Sequence, residues 1–95
     1  MAPDNTRALL ALGASRFNLN DLDEAERLWL KVTVLEPDGT EACYDLGFLA
    51  LNQEVPDYAG VERYWRKVIA LDPGSQLATT VQGHLDDLAA ASLLP

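Results

Sequence analysis

A stretch that occurs twice constrains the fold of this chain most. Leu12–Pro37 is LGASRFNLNDLDEAERLWLKVTVLEP, and Leu46–Pro73 is LGFLALNQEVPDYAGVERYWRKVIALDP. The Leu-Gly pairs that open the two copies lie 34 residues apart, whereas the second Trp and Pro follow the first by 36 residues. A period of this length is typical of arrays in which each supersecondary unit packs on its neighbours.

Apolar residues recur at steps of three and four in both copies, which predicts helices rather than strands. The clearest apolar stripe in the first copy consists of Leu22, Ala25, Leu28, Trp29, Val32 and Leu35. Pro37 and Pro73 are expected to end the second helix of each copy, because proline cannot continue a helix. The first helix is expected to end near Leu19 and Asn20, since Asn tolerates a left-handed conformation.

Residues that favour helix N-caps precede each predicted helix. In chain order the candidates are Asp4 or Thr6, Asp21, Asp38, Asp57 and Ser75. Glu24 follows Asp21 by three residues and Glu41 follows Asp38 by three, which is the spacing of a capping box.

A fifth amphipathic helix is predicted from Gln76 to about Ala91, and no second helix follows to pair with it. Such a helix after two hairpins is expected to close the open end of an array. The predicted fold is therefore all-α and forms one domain of 95 residues. It comprises two helix hairpins, over about 6–37 and 40–73, and a capping helix over about 75–92.

The charge of the chain limits its partners. Fifteen Asp and Glu against seven Lys and Arg give a net charge of −8. Nucleic acids and anionic membrane surfaces are bound by clustered cations, so neither is expected as a partner. A basic or apolar protein segment remains compatible, and solubility alone also accounts for the acidity.

The single cysteine and the single histidine argue against redox, metal and catalytic chemistry. Cys43 excludes an internal disulfide and a cysteine metal cluster, and its helical phase predicts a buried apolar position. His84 precedes Asp87 by one turn, but no second His or Cys lies at ligand spacing and no nucleophile accompanies the pair. A structural role for His84 is favoured. Neither an enzyme nor a cofactor is expected.

No stretch approaches the length of a membrane span, and the first residues lack the basic and apolar regions of a signal peptide. A cytoplasmic protein is therefore expected, with a domain of a longer or anchored protein as the alternative.

The repeated residues together resemble the tetratricopeptide repeat family, whose unit is a 34-residue antiparallel helix pair. The matching positions are Leu9, Leu12, Gly13, Ala25, Trp29 and Pro37 in the first copy, and Cys43, Leu46, Gly47, Val61, Trp65 and Pro73 in the second. The resemblance extends from Thr6 to about Ser92 and implies a right-handed superhelical array of antiparallel helix hairpins. Arg16 and Ala50 depart from the family pattern, which usually has an aromatic residue there.

The resemblance also implies a concave groove, lined by the first helix of each unit, that receives a partner peptide or helix. The groove positions in this sequence are Arg7, Leu10, Ala14, Phe17, Asn18, Tyr44, Asp45, Phe48, Asn52 and His84, with Glu41, Thr80 and Asp87 on the same faces. One variety of the family captures acidic carboxy termini with Lys, Arg and Asn at these positions. Leu10, Ala14, Tyr44 and Phe48 do not supply that set, so such a ligand is not expected. The implied ligand is an apolar or basic segment. Packing of Tyr44 and Phe48 between helices is an equally open alternative.

Two functions are compatible with these features. The first is a non-catalytic module that binds a partner protein or peptide in the groove. The second is a self-assembling or scaffold element, because two and a half units leave apolar surface uncovered.

Overall fold

The structure, a computed structural model that describes residues 5–95, consists of five helices over that range. They are α1 (Thr6–Asn18), α2 (Leu22–Leu35), α3 (Thr40–Leu51), α4 (Tyr58–Leu71) and α5 (Gln76–Ala90). The described residues contain no strand, so the prediction of an all-helical chain is confirmed. Consecutive helices pack on each other, most extensively within the pairs α1–α2 and α3–α4. The Cα atoms span 44 × 32 × 17 Å, a slab about two helix layers thick.

Two of the predicted N-caps are confirmed. The Asp57 carboxylate accepts a hydrogen bond from the Gly60 amide at 3.0 Å, and the Ser75 hydroxyl accepts one from the Ala78 amide at 3.0 Å. Each satisfies an amide that has no partner inside the helix, and each therefore fixes where its helix begins.

The cap of α1 is Asn5, whose side chain accepts a hydrogen bond from the Ala8 amide. Thr6 is the first residue of the helix and not its cap, so that candidate was wrong. The other candidate, Asp4, lies outside the described residues.

Neither predicted capping box forms. Asp21 occupies the N-cap position of α2 without a side-chain cap bond, and Glu24 instead accepts a hydrogen bond from Arg27 at 2.9 Å. At α3 the N-cap is Gly39 and not Asp38. In α2 the Glu24 carboxylate pairs with Arg27 one turn further along the helix, so it is not available to complete the capping box with Asp21.

The predicted end of α1 is confirmed. Asn20 adopts a left-handed conformation with φ 62°. Its amide donates to the Phe17 carbonyl, and the Asp21 amide donates to the Arg16 carbonyl. These two bonds form a Schellman motif, which satisfies carbonyls that the last helical turn leaves free.

Each hairpin is closed by the same contact, in which a glycine on the first helix faces a tryptophan on the second. A Cβ atom at Gly13 would lie 2.6 Å from Cδ1 of Trp29, and one at Gly47 would lie 2.7 Å from Cε2 of Trp65. Both distances are far below the 3.5–4.0 Å at which carbon atoms pack. Only glycine permits the helices to approach this closely.

The indole N–H groups show the same repetition. Trp29 Nε1 donates to the Leu10 carbonyl at 3.2 Å, and Trp65 Nε1 donates to the Tyr44 carbonyl at 3.1 Å. Each acceptor precedes its hairpin's glycine by three residues, so the two copies are equivalent in contact as well as in sequence.

The buried side chains form two clusters. Ala25, Trp29, Leu46 and Leu49 join α2 to α3, and Cys43, Ala50, Val61, Trp65, Val68, Val81 and Leu85 join α3, α4 and α5. The predicted burial of Cys43 is confirmed. Leu35, predicted on the apolar stripe of α2, is instead 37% exposed, and Leu12, a position of the family pattern, is 46% exposed. Leu46, the counterpart of Leu12, is fully buried because α2 covers it, whereas no described helix precedes α1.

Replacement of Gly47 by Ala is expected to destabilise the fold by about 1–3 kcal/mol, because the new methyl group overlaps the Trp65 indole. Gly83→Ala is the matched control. A Cβ at Gly83 meets no atom within 4 Å, so this change should stabilise the fold by about 0.5–1 kcal/mol through helix propensity. Urea unfolding of both variants measures the two effects. Equal effects of the two substitutions would contradict the packing described.

Candidate functional site

Four of the ten predicted groove residues line one cleft between α1 and α3. The cleft has a volume of about 680 Å³. Its lining residues are Thr6, Arg7, Leu10, Ala11, Ala14, Glu36, Glu41 and Asp45. We call it the α1–α3 cleft. It lies between the helices because α1 and α3 each pack on α2, and the space between the two stays open.

The α1–α3 cleft combines apolar side chains from α1 with an excess of negative charge. Glu36, Glu41 and Asp45 supply three carboxylates against the single cation of Arg7. The three ion pairs found among residues 5–95 all lie elsewhere. The Thr6 hydroxyl donates a hydrogen bond to Glu36, which ties the start of α1 to the end of α2. The electrostatic potential in the cleft is therefore negative and favours binding of a cation.

Asp45 is the carboxylate most affected by its surroundings. Burial and the neighbouring Glu41 raise its pKa to about 6, because both disfavour the ionised form. Asp45 is therefore largely ionised at pH 7 and takes up a proton as the pH falls through 6. The negative charge of the cleft decreases over the same range.

Phe48 and His84 belong to a second, smaller cleft among α3, α4 and α5. It has a volume of about 160 Å³ and is lined by Phe48, Leu51, Trp65, His84, Asp87 and Leu88. The Phe48 ring lies 5.0 Å from that of Trp65 and 5.7 Å from that of His84, and Tyr44 meets Phe48 edge-on at 4.9 Å. These are ordinary distances for packed aromatic pairs. Tyr44, Phe48 and His84 are half-buried, and Tyr44 and Phe48 pack against the buried cluster of α3, α4 and α5.

The remaining four predicted residues line neither cleft, and one of them is Tyr44, which contacts Phe48. Phe17 is half-buried with its ring 5.8 Å from that of Trp29. Asn18 is exposed at the end of α1. Asn52 donates to the Phe48 carbonyl at 2.8 Å and lies beside the loop before α2. The predicted groove residues thus fall into three sets. One lines the acidic α1–α3 cleft, one surrounds Phe48, and one lies towards the C-terminal ends of α1 and α3.

Glu36 is one of three cleft residues that are not among the predicted groove positions. The family resemblance implies groove positions on first helices only, whereas Glu36 follows the end of a second helix. The repeated Leu-Glu-Pro and Leu-Asp-Pro segments contain the relevant signal, because an acidic residue recurs at this position in both copies. Thr6 and Ala11 were missed as well, since they lie next to predicted positions without matching them.

No protein-family model matches this chain, and no curated protein matches it significantly. None of the helices described is long and apolar enough to cross a membrane. Residues 5–95 contain no group of three or more His, Cys, Asp and Glu side chains placed to hold a metal ion.

Replacement of Asp45 by Asn is expected to change how stability depends on pH. The pKa of Asp45 is raised in the folded state, so the folded protein holds a proton that the unfolded chain releases near pH 4. The free energy of unfolding of the wild type should therefore fall as the pH rises from about 4 to above 6. The Asn variant should lack this decrease and be the more stable protein at pH 7, by at most about 3 kcal/mol.

Urea unfolding of both proteins at several pH values measures this difference. A Glu54→Gln variant serves as the control, because Glu54 is an exposed loop residue outside the cleft. Parallel pH profiles for the wild type and the Asp45 variant would show that burial of this carboxylate has no energetic consequence.

Proposed function

We propose that this chain is a helical-repeat interaction module of the tetratricopeptide type. In this proposal its two hairpins form a right-handed superhelical array that α5 caps. The module holds a segment of a partner protein without catalysing a reaction. The equivalent glycine–tryptophan contacts in the two hairpins support the comparison with that family, because they assign the same packing role to the same positions of each copy.

The α1–α3 cleft carries the proposal for what is bound. Apolar contact is available from Leu10, Ala11 and Ala14, and three carboxylates lie beside them. A peptide that alternates Lys or Arg with small or branched apolar residues satisfies both features. Its cations would face Glu41 and Asp45, and its apolar side chains would contact α1.

The smaller cleft among α3, α4 and α5, which Phe48 and His84 line, supplies a second point of contact for a longer segment. Phe48 and His84 keep exposed edges beside Leu88 and Asp87. Tyr44 lies on α3 between the residues of the two clefts and contacts Phe48. An extended or helical segment bound along α3 would therefore meet carboxylates first and aromatic rings next.

Fluorescence anisotropy with two labelled peptides tests this assignment. One peptide alternates Lys with Leu, and the other alternates Glu with Leu at the same length. The basic peptide should bind and the acidic one should not. Glu41→Gln combined with Asp45→Asn should weaken binding of the basic peptide about tenfold, equivalent to about 1.4 kcal/mol.

The matched control combines Glu26→Gln with Glu54→Gln, two exposed residues outside the cleft. It changes the net charge by the same amount and should leave the affinity nearly unchanged. Equal losses in the two double variants would show that overall acidity, and not the α1–α3 cleft, attracts the peptide.

A further inference from the structure

Exposed apolar side chains are concentrated in the first hairpin. Residues 5–95 include seven large exposed hydrophobic side chains. Five lie in this hairpin, namely Leu12, Leu19, Leu30, Val34 and Leu35, and the other two are Val55 and Leu93. Leu12 and Arg16 share one side of α1, and Leu19, the C-cap residue of that helix, continues the line at steps of four and three residues. We call Leu12, Arg16 and Leu19 the α1 outer face. Leu12 is the counterpart of Leu46, which is buried in the α2–α3 cluster.

At the other end of the five-helix structure, α5 exposes small and acidic residues where α1 exposes large apolar and basic ones. Gly83, Asp86 and Ala90 are exposed on α5 at steps of three and four, and we call them the α5 outer face. No atom lies within 4 Å of a Cβ built at Gly83. This glycine also lines an open groove of about 430 Å³ between α4 and α5, whose apolar walls include Ile69 and Ala78.

The two outer faces complement each other in an antiparallel register. Along the α1 outer face the residues are spaced by four and then by three positions. Along the α5 outer face, read from Ala90 back to Gly83, the spacing is also four and then three, so the residues oppose one another when the two helices run antiparallel. This register sets Leu12 against Ala90, Arg16 against Asp86 and Leu19 against Gly83. Large side chains therefore meet small ones, and the guanidinium meets a carboxylate.

The charges of the two helices favour the same pairing. Among its thirteen residues α1 has two arginines and no acidic residue, and α5 has two aspartates and no Lys or Arg. Arg16 is not committed within its own chain, since its closest carboxylate is that of exposed Asp21 at 3.9 Å. An exposed pair at this distance contributes little.

We propose that the protein self-associates head to tail, with the α1 outer face of one copy docked on the α5 outer face of a second copy. Consecutive helices in each hairpin are antiparallel, so an α1 docked in this register packs on α5 in the same orientation as the second helix of a hairpin packs on the first. The contact is heterologous and leaves one free face at each end. Further copies therefore add to form a closed ring or an open filament.

Sedimentation equilibrium over about a hundredfold range of protein concentration tests the proposal. The mean mass of the wild type should rise with concentration, and the rise should diminish at about 1 M salt, where charge pairs are screened. Leu19→Asp blocks the α1 outer face and Gly83→Glu blocks the α5 outer face. Each variant alone should remain a monomer, with an unchanged helical circular dichroism spectrum.

An equimolar mixture of these two variants distinguishes this contact from other modes of association. The Leu19→Asp chain keeps a native α5 outer face, and the Gly83→Glu chain keeps a native α1 outer face. The mixture should therefore form a 1:1 dimer that cannot grow further. Val55→Asp, a change at an exposed loop residue, should associate like the wild type.

A wild-type monomer at every concentration would overturn the proposal. Association that survives in either blocked variant would overturn it too, as would a mixture that stays monomeric.

Discussion

The contact between a tryptophan indole and a bare helix backbone is the interaction on which this structure depends. A buried indole N–H requires an acceptor, and in a helical protein the nearest acceptors are carbonyls that side chains normally screen. Gly13 and Gly47 have no side chain to cover these carbonyls. The indoles of Trp29 and Trp65 therefore reach carbonyls on the first helix of their hairpins. The same contact therefore brings the two helices close together and gives the indole N–H its hydrogen-bond acceptor. It is made twice, which gives the array its repeat.

The location of the candidate site follows from this packing. Each tryptophan holds a second helix against its first helix, and α3 then packs on α2 through Leu46 and Leu49. The first helices consequently lie on either side of a shared neighbour with open space between them. The acidic α1–α3 cleft occupies that space. No described helix precedes α1, which is why Leu12 is exposed while Leu46 is buried.

Helix number and most helix boundaries could be predicted from the sequence because they depend on local periodicity, prolines and caps such as Asp57. The capping box at Asp21 could not, since a nearby arginine competes for the carboxylate of Glu24. The ring contacts of His84 depend on how three helices pack, since they join α5 to Phe48 on α3 and Trp65 on α4, and local periodicity does not specify them. Glu36 was missed because an element end, and not a helical face, positions it.

A double-mutant cycle between Gly47 and Trp65 tests the central claim most directly. Gly47→Ala, Trp65→Phe and the combined variant are compared with the wild type by urea unfolding. If the methyl group clashes with the indole, the alanine should cost much less in the phenylalanine background, with an interaction energy of about 1–3 kcal/mol. Additivity of the two substitutions to within about 0.5 kcal/mol would contradict the claim that this contact closes the hairpin.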